Sequence, residues 1–148
     1  MATILRSIDL IHPIAQKAFI TLQHALDVER QMGRLPQIAM FETYRSPERQ
    51  NELFRRKKTK ARAFESAHQF GLVVDFVPLT DGGDWKWEGW DPIVPSRLHE
   101  LCTGLNLHAP IVWDPFHIEH VAFTVLKRHL RPLTVLEPNA DAPLAAQD

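Results

Sequence analysis

His68 and Asp75 lie seven positions apart in the stretch Ser66-Ala-His-Gln-Phe-Gly-Leu-Val-Val-Asp75, a polar run that turns apolar. Leu72 to Val77 alternate as a strand does, with Leu72, Val74 and Phe76 on one face and Val73, Asp75 and Val77 on the other. A carboxylate in the middle of such a run is costly to desolvate unless something compensates it. An ion pair or a set of hydrogen bonds is one compensation. A divalent cation is another, and His68 just upstream favours the cation. Gly71 between them suits a tight turn. A metal site needs a third ligand, and the other histidine-dense stretch is Trp113-Asp-Pro-Phe-His-Ile-Glu-His120. Imidazole and carboxylate together suit zinc, and three protein ligands with one open position describe a hydrolytic site. Cys102 is the single cysteine, which excludes a thiolate-rich structural site.

These residues carry a family resemblance. Ser66-x-His68-x-x-Gly71-x-x-x-Asp75 followed by Asp114-x-x-His117 resembles the LAS group of zinc peptidases, and Tyr44-Arg45-Ser46 with Gln50 is similar to that group's tyrosine-arginine motif. The group contains D-alanyl-D-alanine carboxypeptidases and dipeptidases, together with L-alanyl-D-glutamate endopeptidases that include phage endolysins. The resemblance implies that His68, Asp75 and His117 bind Zn2+, that Asp114 is the general base, and that Arg45 holds substrate, with Ser66 and Gln50 as further substrate contacts. It implies a peptidoglycan peptide as substrate. Aspartate in the DxxH motif resembles the endopeptidase side of the family. Gly82-Gly-Asp-Trp85, which many of its endopeptidases place shortly before the last motif, stands here just after the central strand. Both scissile bonds therefore stay open, D-alanyl-D-alanine being the alternative. A non-catalytic zinc-containing module that binds the wall or a partner is the alternative of another class.

The chain has 148 residues, 45% hydrophobic and 24% charged, with a formal net charge of −1. That length is enough for one domain with a real core. A near-neutral balance gives no general attraction to nucleic acid or membrane. The basic run Arg55-Arg-Lys-Lys-Thr-Lys-Ala-Arg62 has no interleaved aromatics to stack on bases, so no nucleic-acid partner is expected, and the run reads as a solvated loop. One cysteine forms no internal disulfide. No apolar run approaches membrane-spanning length, and Met1 to Ile14 lack the pattern of a signal peptide. A monomer synthesised in the cytoplasm and acting on the wall after release or export is the expectation.

Pro13 opens a helix whose Ala15, Ala18, Phe19, Leu22, Ala25, Leu26 and Met32 recur at helical spacing, with Gly33 as its stop and His12 and His24 at its surface or rim. Gln37 to Tyr44 reads as a strand delivering Arg45 at its end. Ser46, Pro47 and Glu48 are a helix start, with Leu53 and Phe54 as the buried side chains. Asp81 to Trp90, with three of the four tryptophans, is a loop that either lids the core or lines a groove. Val94, Leu98, Leu101 and Cys102 indicate a short helix ending near Gly104. Pro110 to Trp113 and Phe116 to Val121 read as two strands joined by a turn at Asp114-Pro115. If the second is extended, His117 and Glu119 share a face and His120 points the other way. A closing helix from Val121 to Leu130 completes a catalytic domain over residues 1–136, with 137–148 as a flexible tail. The fold class expected is α+β, with a small antiparallel sheet carrying the metal ligands and helices packed on one side.

Overall fold

The computed structural model describes residues 3–57 and 67–126. Ser66, most of the basic run, residues 127–130 of the expected closing helix and the 137–148 tail lie outside the described residues.

Helix α1, Pro13–Gln31, forms where the apolar spacing places it. Ala15, Phe19, Leu22 and Leu26 make one buried stripe, and each large apolar side chain so buried stabilises by about 1.5–3 kcal/mol. Pro13 occupies the first turn, and the His12 Nδ1 accepts from the Ile14 N–H at 3.2 Å, so the rim histidine caps the helix. The chain leaves α1 through Gly33 at φ +72°, a left-handed conformation that favours glycine. Helix α2, Pro47–Arg55, starts at Ser46, whose hydroxyl accepts from the Arg49 N–H at 3.1 Å. Helix α3 is Ile93–Leu101, and α4 is Ala122–Leu126.

The sheet has four strands in the order β1-β2-β4-β3: β1 Ile38–Glu42, β2 Val73–Pro78, β3 Leu107–His108 and β4 His117–His120. Every neighbouring pair is antiparallel, as expected. All six residues of β2 are buried, which explains its continuous apolar character. Leu72, Val74 and Phe76 join the core with the α1 stripe and with Val94 and Leu98 of α3, and Phe76 stacks on Phe19 at 6.0 Å between ring centroids. The opposite face carries Asp75. A bulge interrupts the β1–β2 ladder, so that Met40 faces Phe76 while Glu42 faces Asp75. Without that extra residue Glu42 would share the face of Met40; the bulge turns it onto the face of Asp75.

Three local expectations are corrected. Leu53 and Phe54 are only half-buried, and the covered residues of α2 are Pro47 and Gln50. Because β4 pairs with Leu107 and His108, the segment Pro110 to Trp113 is not a strand. Pro110 has no N–H to offer a ladder, and Val112 and Trp113 are 92% and 82% exposed. The strand before Arg45 ends at Glu42, and Tyr44 makes only an isolated bridge to Leu5. In the tryptophan loop, the Trp85 and Trp87 rings meet Phe41 edge-on at 5.1 and 4.9 Å, and Trp90 donates to the Lys86 carbonyl at 2.7 Å. Trp85 and Trp90 thus pack as a cover on the core, and Trp87 is 44% exposed.

Candidate metal centre

His68 sits in a short 3-10 turn, Ala67–Phe70, all four of whose side chains are buried. Gly71 follows at φ +68° and lets the chain reverse into β2 within one residue. The Leu72 N–H returns to the Ala67 carbonyl at 3.3 Å, and the Arg45 N–H donates to the His68 carbonyl at 3.2 Å. Asp75 lies mid-strand on β2 and His117 opens β4 as its partner in register.

Backbone pairing therefore brings the three side chains together. One ligand atom from each of His68, Asp75 and His117 lies within 4.8 Å of the other two, and all three residues are buried. His68 Nε2 is 3.5 Å from Asp75 Oδ2, and His117 Nδ1 is 3.6 Å from Asp75 Oδ1. The two imidazoles stand nearly perpendicular, at 79°, with centroids 5.2 Å apart. These separations are too long for strong hydrogen bonds and suit donors gathered around one small cation. Asp75 Oδ1 is buried and has no hydrogen-bond partner among the described residues, the condition an ion would relieve. The donor set, two imidazoles and a carboxylate, fits zinc.

Electrostatics favour the ligand-competent forms of two of the three. Burial works to raise the Asp75 carboxyl, but contacts with His68 and His117 and the Arg45 cation overcome it and hold Asp75 well below the usual carboxylate range. Burial, with the Arg45 cation, pushes His68 below the ordinary histidine value and keeps it neutral. For His117 burial works downward, but Asp75 and Glu119 outweigh it and raise the group to about 9. Cation binding there displaces a proton.

Arg45 borders the centre. Its Nη2 is 3.7 Å from Asp75 Oδ2. Its Nε and Nη2 donate to Glu42 Oε1 at 3.0 and 2.8 Å, and its Nη1 donates to Gln50 Oε1 at 3.0 Å. Arg49 Nε completes the cluster on Glu42 Oε2 at 2.6 Å. Glu42 and Gln50 are fully buried. The structure thus places Gln50 behind Arg45, where its amide oxygen fixes the guanidinium. Glu42 is the residue that sequence reasoning missed. Its one signal is an acidic side chain in an apolar strand, three residues before Arg45.

Asp114 lies on the turn leading into β4, partly buried, with its carbonyl accepting from the His117 N–H at 3.3 Å. Burial, then the charge of Asp75, raises its carboxyl above the ordinary value, against the opposing pull of His117 and Arg45. His99 on α3 bonds through Nε2 to the Pro115 carbonyl at 2.8 Å and so ties this turn to the core. His120 turns to the other face, as an extended β4 requires, and its Nδ1 accepts from the Ala122 N–H at 3.0 Å. Cys102 is buried, which pushes its thiol up to about 11 and keeps it inert.

Solved structures that share this architecture include two peptidases. One is the LdcB LD-carboxypeptidase, whose structure was described as revealing the molecular basis of peptidoglycan recognition. It matches with a TM-score of 0.53 and 19% identity, over 80% of this chain and 64% of that one. The chain therefore spans just under two thirds of that protein's length. The other is the vancomycin-resistance D,D-pentapeptidase VanY, in complex with Zn(II), with a TM-score of 0.50 and 21% identity over 76% of each chain. The chain shares the fold of these two peptidases. The resemblance read from the motifs is borne out at the level of the fold, and the buried His68, Asp75 and His117 of that fold are a group able to hold a metal ion. Sequence comparison finds no matching protein-family model and no matching curated protein. No helix among the described residues is long and apolar enough to cross a membrane.

Proposed function

We propose that the protein is a zinc-dependent peptidase acting on the stem peptides of bacterial peptidoglycan, with the L-alanyl-D-glutamate bond as its target. The observation that carries this reading is the convergence of His68, Asp75 and His117, with ligand atoms within 4.8 Å of one another. The zinc-bound neighbour of the same fold supports it. Zinc, when bound, supplies a Lewis acid and brings the pKa of the water it holds to about 7.

The chain's own residues do the rest. Asp114 sits three residues before His117, with a carboxyl that burial and the charge of Asp75 raise above its ordinary value. It takes a proton from the attacking water and delivers it to the leaving amine. Among the described residues Arg45 gives three hydrogen bonds, to Glu42 and Gln50, and its Nη2 also lies 3.7 Å from Asp75 Oδ2, which sets the planar fork at the edge of the centre where substrate would meet it. Held by a buried carboxylate and a buried amide, that fork stabilises the oxyanion that develops as the carbonyl is attacked, with little reorganisation. Ser66 contributes a hydroxyl to the substrate peptide just before His68.

Aspartate as the base supports the endopeptidase side over D-alanine removal. Digestion of purified wall, with identification of the new amino termini, tests the choice. New amino-terminal D-glutamate is the expected product. Free D-alanine as the sole product would reassign the enzyme to the carboxypeptidases.

A further inference from the structure

We propose that Glu119 is the positioning residue of His117, accepting a hydrogen bond from its Nε2–H so that Nδ1 presents its lone pair to the metal centre. This rests on the metal reading above and goes one layer behind the three ligands. On the extended strand β4, residues 117 and 119 project from the same face. The register sets Glu119 between Val73 of β2 and His108 of β3. Its side chain is 15% exposed, and that of His117 10%. A carboxylate so enclosed needs a donor, and His117 Nε2 stands 3.4 Å from its Oε2.

The opposite edge of the same ring faces the centre, with Nδ1 3.6 Å from Asp75 Oδ1. One orientation of the imidazole satisfies both contacts. Turning the ring over would set carbon against both carboxylates. An ionised carboxylate only accepts, so its bond to Nε2 selects the tautomer with the proton there and frees the Nδ1 lone pair. A carboxylate behind a ligating histidine also raises the basicity of the ligand. The Glu119 backbone helps place it, because its strand is pinned where the His120 N–H donates to the Leu72 carbonyl at 2.8 Å.

The test is zinc affinity, measured by competition with a chromogenic chelator on the full chain, together with 15N spectra of the histidine rings in the zinc-loaded protein. Glu119→Ala is expected to weaken zinc binding roughly 10–100-fold. Glu119→Asp, which keeps the charge but withdraws the acceptor by one methylene, should fall between Glu119→Ala and the native protein. The loaded native protein should show the His117 proton on Nε2. Native affinity in a folded Glu119→Ala, or a proton on Nδ1 of the loaded native protein, would overturn the assignment of Glu119 while leaving the metal centre standing. Failure of the native protein to bind zinc at all would overturn the metal reading and this inference with it. Should Glu119→Ala not fold, the native spectrum decides by itself.

Discussion

Asp75 and His117 are direct partners across the β2–β4 ladder, and their side chains come within 3.6 Å on the sheet face opposite the core. The ladder fixes two of the three side chains and the turn before β2 brings in His68, so cation binding and folding are linked. At zinc concentrations near a hundred times Kd, the bound state should gain about 2.7 kcal/mol. For a domain of this size that corresponds to a rise in Tm of roughly 5–10 °C. Thermal melts with added zinc and with excess chelator check this. Asp75→Asn and His117→Ala should lose the rise, and an undiminished shift in either variant would remove those residues from the ligand set.

Substitution at Asp114 should separate catalysis from metal binding. Its carbonyl is bonded to the His117 N–H, but its carboxyl is raised by burial and by Asp75. Asp114→Asn should reduce wall-degrading activity by about 10²–10⁴-fold, the ordinary worth of a positioned base, while zinc content stays at the native level. Activity assays and metal analysis on one preparation give both numbers. Full activity in the variant would point to another base, and equal zinc with no activity in the native protein would point to a binding module.

The site was legible where chemistry is local and hidden where it depends on the ladder. His68 and Asp75 announce themselves, because a carboxylate inside an apolar alternation demands compensation and a histidine precedes it. His117 came from motif order, and antiparallel pairing explains how it arrives. Glu42 was not legible: counting by twos from Met40 sets it on the core face, and only the bulge between them turns it toward Asp75. Pro110 to Trp113 misled because apolar residues before a turn mimic a strand, while β4 takes its partner from Leu107 and His108 instead. Glu119 was placed correctly on the His117 face, but its proximity to Nε2 is a matter of side-chain reach that spacing does not reveal.

Arg45 and Glu42 should respond to substitution in different currencies. Glu42 is a fully buried carboxylate that accepts from both Arg45 and Arg49. Glu42→Ala strands two guanidinium groups in a largely buried site and should cost about 3–5 kcal/mol of stability, read from denaturant midpoints. Arg45→Lys keeps a positive charge but loses the planar fork. It should leave the fold standing and lower kcat/KM by about 10–100-fold, the loss of about 1.5–3 kcal/mol in charge-assisted hydrogen bonds. A lysine variant with native kcat/KM would show that the fork serves the fold alone.

Away from the centre, Glu29 links α1 to α3 and gives the fold an acid-sensitive clasp. Its Oε1 accepts from Arg97 Nη2 at 2.6 Å and its Oε2 from Arg34 Nε at 2.8 Å. Hydrogen bonds from Arg97 and then Arg34, opposed by burial, lower its carboxyl from the ordinary 4.5 to about 2. Because the folded value lies below the unfolded one, the unfolded chain binds more protons between the two. The clasp therefore contributes its full stability above pH 4.5 and loses it as pH falls toward 2. Glu29→Gln should be less stable than the native protein at pH 6 by about 1–2 kcal/mol, since the exposed Arg97 screens part of the interaction. Urea midpoints at pH 6 and pH 3 should show that gap narrowing on acidification. A gap that stays constant would mean that Glu29 holds the helices by packing and neutral hydrogen bonds, not by its charge.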